Sequence, residues 1–581
     1  MLLHALDEKG ASSMCPTFAL LTREMLLMTH HTKSTPSELQ ERVTKCLYRL
    51  ESLEAAYDSI TVGQLVSMRA RTHGSITAID FFQRGERATY AEMDRRSNIH
   101  AQALRAFGVR KGDRVGVMLP NRIEFPILWF AFAKLGAVIV PISIHYTARE
   151  IQYVLNDTQV QCAIVDESAW PAFSAMDPWP RDLTRERVLL VGQPASPAAT
   201  TLDQLVKGIG DKPVDEEVLP HDLLNIQYTS GTTGFPKGCM LTHDYWGVSS
   251  YACAYLDYQP YQRYLCWSHF FYTLAPWYTL KSYRQGGTLY VASDNTLYVS
   301  PEKSSSRLFS WIKAYCIEWC TMPMLIAETA ADVPRCLKQV SQYDSWSGET
   351  IRRFRDQFGV GGVPAYGMTE IGYGTQLSKD LEDMYDSGSV GIRSPFRELR
   401  LMNEDGSPTP VGDVGELWVK GRGIMKGYWN RPKLEYFEGE WFKTGDLLRR
   451  DELGFYWVVG RKKDMIRRWS QNISASEVEA VIREIPEIAD VAAVPVPDDM
   501  RGEEVKVYLE LKEGFKPTDL SMERVLEHAR ARLAAFKVPR YIAFTSALPR
   551  TASSNKVLKR ELVAVSDPLS GAYDREEKRW R

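Results

Sequence analysis

Residues Tyr228–Gly238 read YTSGTTGFPKG, with four small hydroxyl residues and three glycines around one lysine. They follow LLNIQY, an apolar segment typical of a buried strand. Glycines let a backbone approach a ligand closely, and N–H and hydroxyl groups donate to anionic oxygens. Lys237 adds a mobile positive charge, but Pro236 precedes it and Gly238 follows it, unlike a Walker A loop. Eleven residues in this order predict a phosphate-wrapping loop and argue against a flexible surface turn.

Composition limits the class of protein. At 581 residues the chain is too long for one core, so we expect two or more domains. With 44% hydrophobic and 25% charged residues it should be a folded, water-soluble protein. MLLHALDEKG reaches charged residues within about seven positions, unlike a signal peptide, so a cytoplasmic enzyme is the default expectation. A net charge of -2 gives no broad field for nucleic acid or acidic membranes, and no apolar run predicts a membrane span. The nine cysteines form no CxxC pair, so we expect neither a metal site nor a disulfide framework.

Hydrophobic periodicity predicts an α/β fold: a large N-terminal domain of parallel sheets covered by helices plus a small β region, then a small mobile α+β C-terminal domain. The alternation begins at Thr61 and includes helix 123–135, strand 137–142, helix 147–156 and strand 162–166. Residues 395–460 indicate short antiparallel strands. The C-terminal elements are expected at 474–485, 489–495, 504–511, 520–534 and 541–545. We predict an extension over 1–56, which is either a docking helix or a partly mobile segment, and domains over 57–462 and 463–566. A tail follows over 567–581, and its end, DREEKRWR, should be solvated and frayed.

Six motifs in order now resemble the adenylate-forming superfamily of AMP-binding enzymes, which includes acyl-CoA synthetases, aryl-CoA ligases, luciferases and adenylation domains. After the glycine-rich loop come YGMTE at 366–370, GELWVKGRGIMKGYW at 415–429, WFKTGD at 441–446, GRKKDMI at 460–466 and LPRTASSNKVLKREL at 548–562. The resemblance covers about residues 57–566. PMLI at 323–326 and NISASEVEAV are most similar to carnitine- and crotonobetaine-type CoA ligases.

Activation of a carboxylate by ATP needs phosphate charges neutralised and no covalent protein nucleophile, which favours backbone donors, hydroxyls, lysines and Mg²⁺ held by a carboxylate. The resemblance implies roles for particular residues. Tyr366 would stack on adenine, Thr369 would contact the α-phosphate, and Glu370 would hold Mg²⁺. Asp446 would bind both ribose hydroxyls, with Arg461 nearby. The pyrophosphate end of ATP would be held by Thr229, Ser230, Gly231, Thr232, Thr233 and Lys237.

The family also places a late lysine, here Lys556, over the acyl carboxylate and the α-phosphate, and a hinge at Lys463 turns the C-terminal domain between two half-reactions. Two segments depart from the family pattern. RRWSQNIS has Ser470 at the usual glycine, which would narrow the thiol tunnel, and RTASSNK has about one extra residue before Lys556. Both departures bear on the second half-reaction more than on the first.

The acyl pocket is expected in an aromatic stretch, because about a third of residues 245–283 are aromatic, against 11% of the chain. We place Trp267, His269, Phe270 and Phe271 there, with Phe271 or His269 aligned to a family histidine; the alternative is ordinary core packing. The main hypothesis is an ATP- and Mg²⁺-dependent acid–CoA ligase for an aromatic or heteroaromatic acid. The others are an amide synthetase with an amine acceptor and a non-catalytic nucleotide-binding protein.

Overall fold

A computed structural model shows how these segments fold. It describes residues 35–193, 200–229, 236–256, 260–293, 301–330, 332–343, 345–468, 471–498, 501–533, 535, 537–550 and 556–581; the side chains of 301–303, 463, 467 and 471–472 also lie outside the description. No helix in these ranges is both long enough and apolar enough to cross a membrane.

Two largely parallel sheets form the body of the protein. The first has six strands, in the order Val188–Val191, Cys162–Asp166, Arg114–Met118, Val138–Pro141, Leu223–Thr229 and Lys237–Thr242. The second has seven, in the order Gly362–Val363, Gln339–Gln342, Trp319–Met322, Arg263–Cys266, Thr288–Val291, Thr77–Phe81 and Glu86–Thr89. Among the strands that the structure describes, the last pair in each sheet is antiparallel and the other pairs are parallel. Their strands are mostly apolar runs, as expected when helices cover both faces.

Antiparallel strands follow the parallel sheets. A three-stranded sheet contains Ala365–Met368, Gly372–Gln376 and Ile392–Arg393. A five-stranded sheet contains Arg397–Met402, Val414–Gly421, Trp441–Arg450, Phe437–Glu438 and Tyr456–Arg461. The second of these sheets is the small β region that the sequence predicted.

Several helices begin and end where the sequence supplies caps. Thr147, for example, caps its helix and exchanges hydrogen bonds with Glu150, and Gly136 ends another in the left-handed conformation. The α-helices are Pro36–Ala55, Val62–His73, Tyr90–Ala106, Glu124–Leu135, Ala148–Asp157, Trp170–Ser174, Leu202–Val206, His243–Tyr255, Leu274–Gln285, Pro301–Ala314, Met324–Glu328, Gly348–Phe358, Ala475–Arg483, Met522–Arg530 and Lys559–Val563. Short 3₁₀ helices are Arg185–Arg187, Lys379–Ser387, Lys433–Glu435, Lys462–Asp464 and Pro517–Asp519.

The C-terminal part of the chain has a sheet and a core of its own. Its strands are Gln471–Ser474, Met465–Arg468, Gly502–Leu511, Tyr541–Thr545, Ala572–Asp574 and Arg579–Trp580, with Ile488–Asp498 also paired to Gly502–Leu511. The predicted fold class, α/β followed by a small α+β domain, is confirmed. The domain boundaries stay a prediction.

The last residues differ from the frayed tail that we expected. Ala572–Asp574 pairs with Tyr541–Thr545, and Arg579–Trp580 adds a further strand. Asp574 is fully buried and accepts a hydrogen bond from Arg581 at 2.8 Å. Burial of this carboxylate against arginine orders a segment whose composition alone suggested a solvated end.

The described part of the N-terminal extension is docked. Helix Pro36–Ala55 buries Val43, Cys46 and Leu50 in the core around the second sheet. Glu54 accepts from Arg393 at 2.6 Å, which ties the end of the helix to the body. Of the two interpretations that the sequence left open, a docking helix or a mobile extension, these contacts support docking for residues 36–55.

Candidate active site

The two ends of the glycine-rich loop lie side by side. Thr229 ends strand Leu223–Thr229, Lys237 begins Lys237–Thr242, and the two residues pair across the ladder. The loop between them, with Ser230, Gly231, Thr232 and Thr233, lies outside the described residues. The strands therefore place Lys237 at the edge where parallel strands end, the usual position of a nucleotide site in an α/β sheet.

Lys237 and Glu370 both contact Tyr428. Its ammonium lies 4.5 Å from the ring centroid of Tyr436 and 5.2 Å from that of Tyr428, so two aromatic faces hold the cation. The hydroxyl of Tyr428 donates to Glu370 Oε1 at 2.6 Å. Burial raises the pKa of the Glu370 carboxyl. Tyr428 thus holds the Lys237 ammonium and the Glu370 carboxylate in one site, with Tyr436 also close to the ammonium.

Tyr366 and Asp446 meet from two different sheets. The Tyr366 hydroxyl donates to Asp446 Oδ2 at 2.7 Å, and Asp446 is only 5% exposed. Asp446 and Arg461 are paired in the antiparallel sheet, and Arg461 Nε lies 2.9 Å from Oδ1. That ion pair lacks hydrogen-bond geometry, so Oδ1 is buried with no donor among the described residues. Such an atom is costly unless a ligand donates to it.

Thr369 and Glu370 lie in the tight connection between Ala365–Met368 and Gly372–Gln376. A Cβ at Gly367 would lie 2.6 Å from the carbonyl oxygen of Gly372, and Gly372 has φ +67°, so the connection requires both glycines. The motif around YGMTE therefore combines chemical groups with the backbone that presents them. The predicted contact of Thr369 with a phosphate stays a prediction.

Lys556 is near the same cluster. Desolvation and the charge of Arg461 lower the pKa of Lys556, while Asp464 and Asp446 oppose that shift. Lys556 is exposed as a whole residue, yet enough protein surrounds its ammonium for desolvation to be the largest cause of the pKa shift. The late lysine and the ribose-binding candidate are thus within electrostatic reach of each other. Lys463 lies in the turn Lys462–Asp464, between Tyr456–Arg461 and Met465–Arg468, and its hinge role stays a prediction.

The residues fit ATP and Mg²⁺. Asp446 Oδ1 pairs with Arg461 but accepts no hydrogen bond from the described residues, so it suits a hydroxyl donor, and Lys237, Arg461 and Lys556 supply positive charge. No cluster of three or more His, Cys, Asp or Glu side chains in the described ranges forms a metal cage. A single carboxylate such as Glu370 is enough for Mg²⁺, which typically binds one or two carboxylates together with substrate phosphates.

An aromatic cavity adjoins this cluster. It holds about 510 Å³ of space not filled by atoms, part of it open to solvent. Ala365, next to Tyr366, lies in its wall, and the antiparallel strand Gly372–Gln376 contributes Tyr373. The remaining lining residues are Cys253, Leu256, Trp277, Tyr278, Lys281, Trp319, Gln339, Ser341, Val363, Gln376 and Leu377.

The four residues that we assigned to the acyl pocket do not line this cavity. Trp267 donates from Nε1 to the carbonyl of Thr321 at 2.9 Å, and Phe270 packs in the core. His269 stacks on Phe271 with ring centroids 4.5 Å apart. Burial lowers the pKa of His269 to about 4, so this ring is neutral near pH 7. Their role at the acyl site stays a prediction.

The aromatic stretch read from the sequence contains Trp277 and Tyr278, but sequence reasoning missed Lys281, Trp319 and Tyr373 in the cavity wall. It also missed the contacts of Tyr428 and Tyr436 with Lys237. Trp277, Tyr278 and Lys281 occupy one helix, and their spacing places them on neighbouring positions of its surface. That helical spacing within the aromatic stretch was the available signal. Tyr428 was visible inside a motif, but only the structure brings its hydroxyl to Glu370.

Comparison with known proteins agrees with this geometry. The AMP-binding enzyme family matches residues 66–429, and the AMP-binding enzyme C-terminal domain matches residues 477–555. A crotonobetaine/carnitine–CoA ligase from Salmonella arizonae is 29% identical over 82% of this chain and 92% of its own. A long-chain-fatty-acid–CoA ligase from Mycobacterium tuberculosis is 28% identical over 86% and 97%.

A solved structure gives the same result. The o-succinylbenzoate–CoA synthetase from Bacillus subtilis, in complex with ATP and magnesium ion, has a TM-score of 0.73 and 25% identity over 86% of this chain and 98% of its own. The family model spans more than half of the chain, and the motif order agrees with it. The chain therefore belongs to the AMP-binding enzyme family and is a ligase of the adenylate-forming acyl-CoA ligase superfamily.

Proposed function

We propose that the protein activates an aromatic or heteroaromatic carboxylic acid with ATP and transfers the acyl group to the thiol of CoA. The single observation that carries the choice of acid is the cavity beside Tyr366. Trp277, Tyr278, Trp319 and Tyr373 contribute to its wall. Flat aromatic ligands gain from ring stacking and edge contacts with such side chains.

In the first half-reaction a carboxylate oxygen attacks the α-phosphorus of ATP. The bond from that phosphorus to the bridging oxygen of pyrophosphate breaks, and acyl-AMP forms. Asp446 would hold the ribose, and Lys237 would neutralise the departing phosphates. Mg²⁺, when bound by Glu370 and the phosphates, supplies charge neutralisation. Lys556 would contact the carboxylate and the α-phosphate, where negative charge moves in the transition state.

In the second half-reaction the CoA thiolate attacks the acyl carbon, and AMP leaves with the electron pair of the broken C–O bond. Rotation of the C-terminal domain at Lys463 would move Lys556 away from the acyl-adenylate and let the CoA thiol approach the acyl carbon. An amine is the alternative acceptor and gives an amide by the same displacement. Ser470, which lies outside the described residues, is the feature that favours it.

Acid-dependent exchange of labelled pyrophosphate into ATP tests the first half-reaction without any acceptor. The panel should contain matched aromatic and aliphatic acids, with carnitine and a long-chain fatty acid because relatives carry those names. We expect exchange with aromatic acids. Exchange confined to aliphatic acids would overturn the choice of substrate, and no exchange with any acid would favour a non-catalytic protein. Product mass with CoA alone, then with amines alone, identifies the acceptor.

A further inference from the structure

The aromatic cavity also has polar groups in its wall. Tyr278 and Lys281 both line it from helix Leu274–Gln285, which ends at Gly286 in the left-handed conformation. The two residues are three apart in the helix, so their side chains are neighbours. Both are almost completely buried, at 3% and 5% exposure. A buried phenol and a buried ammonium therefore face one small space.

The phenol is available to a ligand. Tyr278 Oη is buried without a hydrogen-bond partner among the described residues. Thr321 is close enough to favour the ionised phenol, but it is not in hydrogen-bonding geometry. Buried hydroxyl groups nearly always have a partner, because an unsatisfied one loses its bonds to water. An oxygen atom of a bound ligand would supply the missing bond.

The lysine is held by aromatic rings. Lys281 Nζ lies 3.9 Å from the ring centroid of Trp319 and 5.7 Å from that of Tyr261. Trp319 lines the cavity as well. Cation–π contacts stabilise an ammonium in a dry site and leave it able to donate to a neighbouring acceptor. The position of Lys281 in the wall therefore adds a cationic donor group to a cavity that Trp277, Tyr278, Trp319 and Tyr373 also line.

We propose that the acid carries a second oxygen group, away from the reacting carboxylate, that accepts from Lys281 and exchanges a hydrogen bond with Tyr278. This inference rests on the proposed function and narrows its substrate class to oxygen-substituted aromatic acids. A ring hydroxyl is the simplest such group. Sites that hydrogen-bond a substrate hydroxyl strongly reject an analogue without it, because their own polar groups are then left unpaired.

Matched pairs of acids test the proposal on the intact enzyme. Each hydroxybenzoate, with its hydroxyl at ring position 2, 3 or 4, is compared with the methylbenzoate of the same position in pyrophosphate exchange. We expect one hydroxybenzoate to exceed its methyl partner by at least about 10-fold in kcat/KM. Equal or better exchange with the methyl acid at every position overturns the inference and leaves the proposed function intact. Exchange with no aromatic acid overturns both.

Two variants test whether Lys281 and Tyr278 cause the preference for the hydroxy acid. Lys281→Met keeps the length of the side chain without its donors, and Tyr278→Phe removes the orphan hydroxyl. We expect either change to lower kcat/KM for the hydroxy acid more than for the methyl acid, so that the preference falls to within about 3-fold. Tyr283→Phe is the control on the same helix, because the buried Tyr283 hydroxyl also lacks a partner among the described residues and Tyr283 does not line the cavity. An undiminished preference in both folded variants contradicts the assignment; if either variant fails to fold, the wild-type comparison still decides.

Discussion

Replacement of Asp446 by asparagine is the sharpest test of the nucleotide site. Asp446→Asn keeps the shape of the side chain but replaces one carboxylate oxygen with an amide NH₂ group. The wild-type carboxylate accepts from Tyr366 at Oδ2, and Oδ1, 2.9 Å from Arg461 Nε, has no hydrogen-bond donor in the part of the chain that the structure describes. In the variant the amide oxygen can keep the bond to Tyr366, which turns the NH₂ group toward the place where a ribose hydroxyl would donate. The variant therefore loses the acceptor that the structure leaves open.

The size of the effect follows from the burial of this group. Asp446 is 5% exposed, so solvent does not replace a lost bond. A hydrogen bond to a charged partner contributes about 1.5–3 kcal/mol, which corresponds to about 10- to 150-fold in affinity. The lost negative charge would itself favour an anionic nucleotide and offset part of that loss. A comparison of AMP affinities for two proteins alone would therefore underestimate the contact.

A double-mutant cycle removes that ambiguity. Calorimetry gives the Kd of AMP, 2′-deoxy-AMP and 3′-deoxy-AMP for the wild type and for Asp446→Asn. We expect loss of a hydroxyl to weaken binding to the wild type by about 10-fold or more and to matter little in the variant. Glu440→Gln, at an 80% exposed side chain, is the control for charge. Additive losses for both deoxynucleotides would refute the ribose contact.

Two further predictions concern the late lysine and the N-terminal helix. Lys556→Ala should lower the adenylation rate about 10²- to 10³-fold with little change in ATP affinity. In the wild type the rate should fall as pH rises through the pKa of Lys556, which burial and Arg461 hold below its usual value. A variant rate near wild type, or a loss no larger than that of Lys559→Ala, would refute the role. Leu50→Ala should destabilise the docked helix by about 2–5 kcal/mol, because Leu50 is only 2% exposed. Thermal melts should show a lower Tm for Leu50→Ala than for Tyr48→Ala, a control at a 73% exposed position. Equal Tm values would mean that docking of this helix does not limit stability.

Several features of the protein were predictable from the sequence because they depend on local order along the chain. Apolar runs separated by amphipathic helices predict parallel sheets whatever the distant contacts are, and strands 162–166 and 541–545 lie where they were expected. The nucleotide motifs were equally predictable. A glycine-rich loop or a Tyr-Gly-Met-Thr-Glu turn carries its chemistry and its backbone requirement in adjacent residues.

Other features came only from contacts between distant segments. Nothing local to Tyr428 indicates that it donates to Glu370, since 58 residues separate the two. The charged tail looked solvated until its carboxylate Asp574 was buried beside Arg581. A side chain's neighbours across the fold decide its protonation, its bonds and its exposure, and local composition does not contain them.

The sequence by itself determined the order of the motifs, the α/β class and membership of a ligase family, because each is written in short stretches of chain. The tertiary structure decided which aromatic residues line the cavity beside Tyr366. Trp277 and Tyr278 come from the same aromatic segment as Trp267, Phe270 and Phe271 and are similarly buried, whereas Trp319 and Tyr373 come from distant strands. The direction of each side chain depends on how helix Leu274–Gln285 lies against strands Trp319–Met322 and Gly372–Gln376, and packing across the whole domain sets that arrangement.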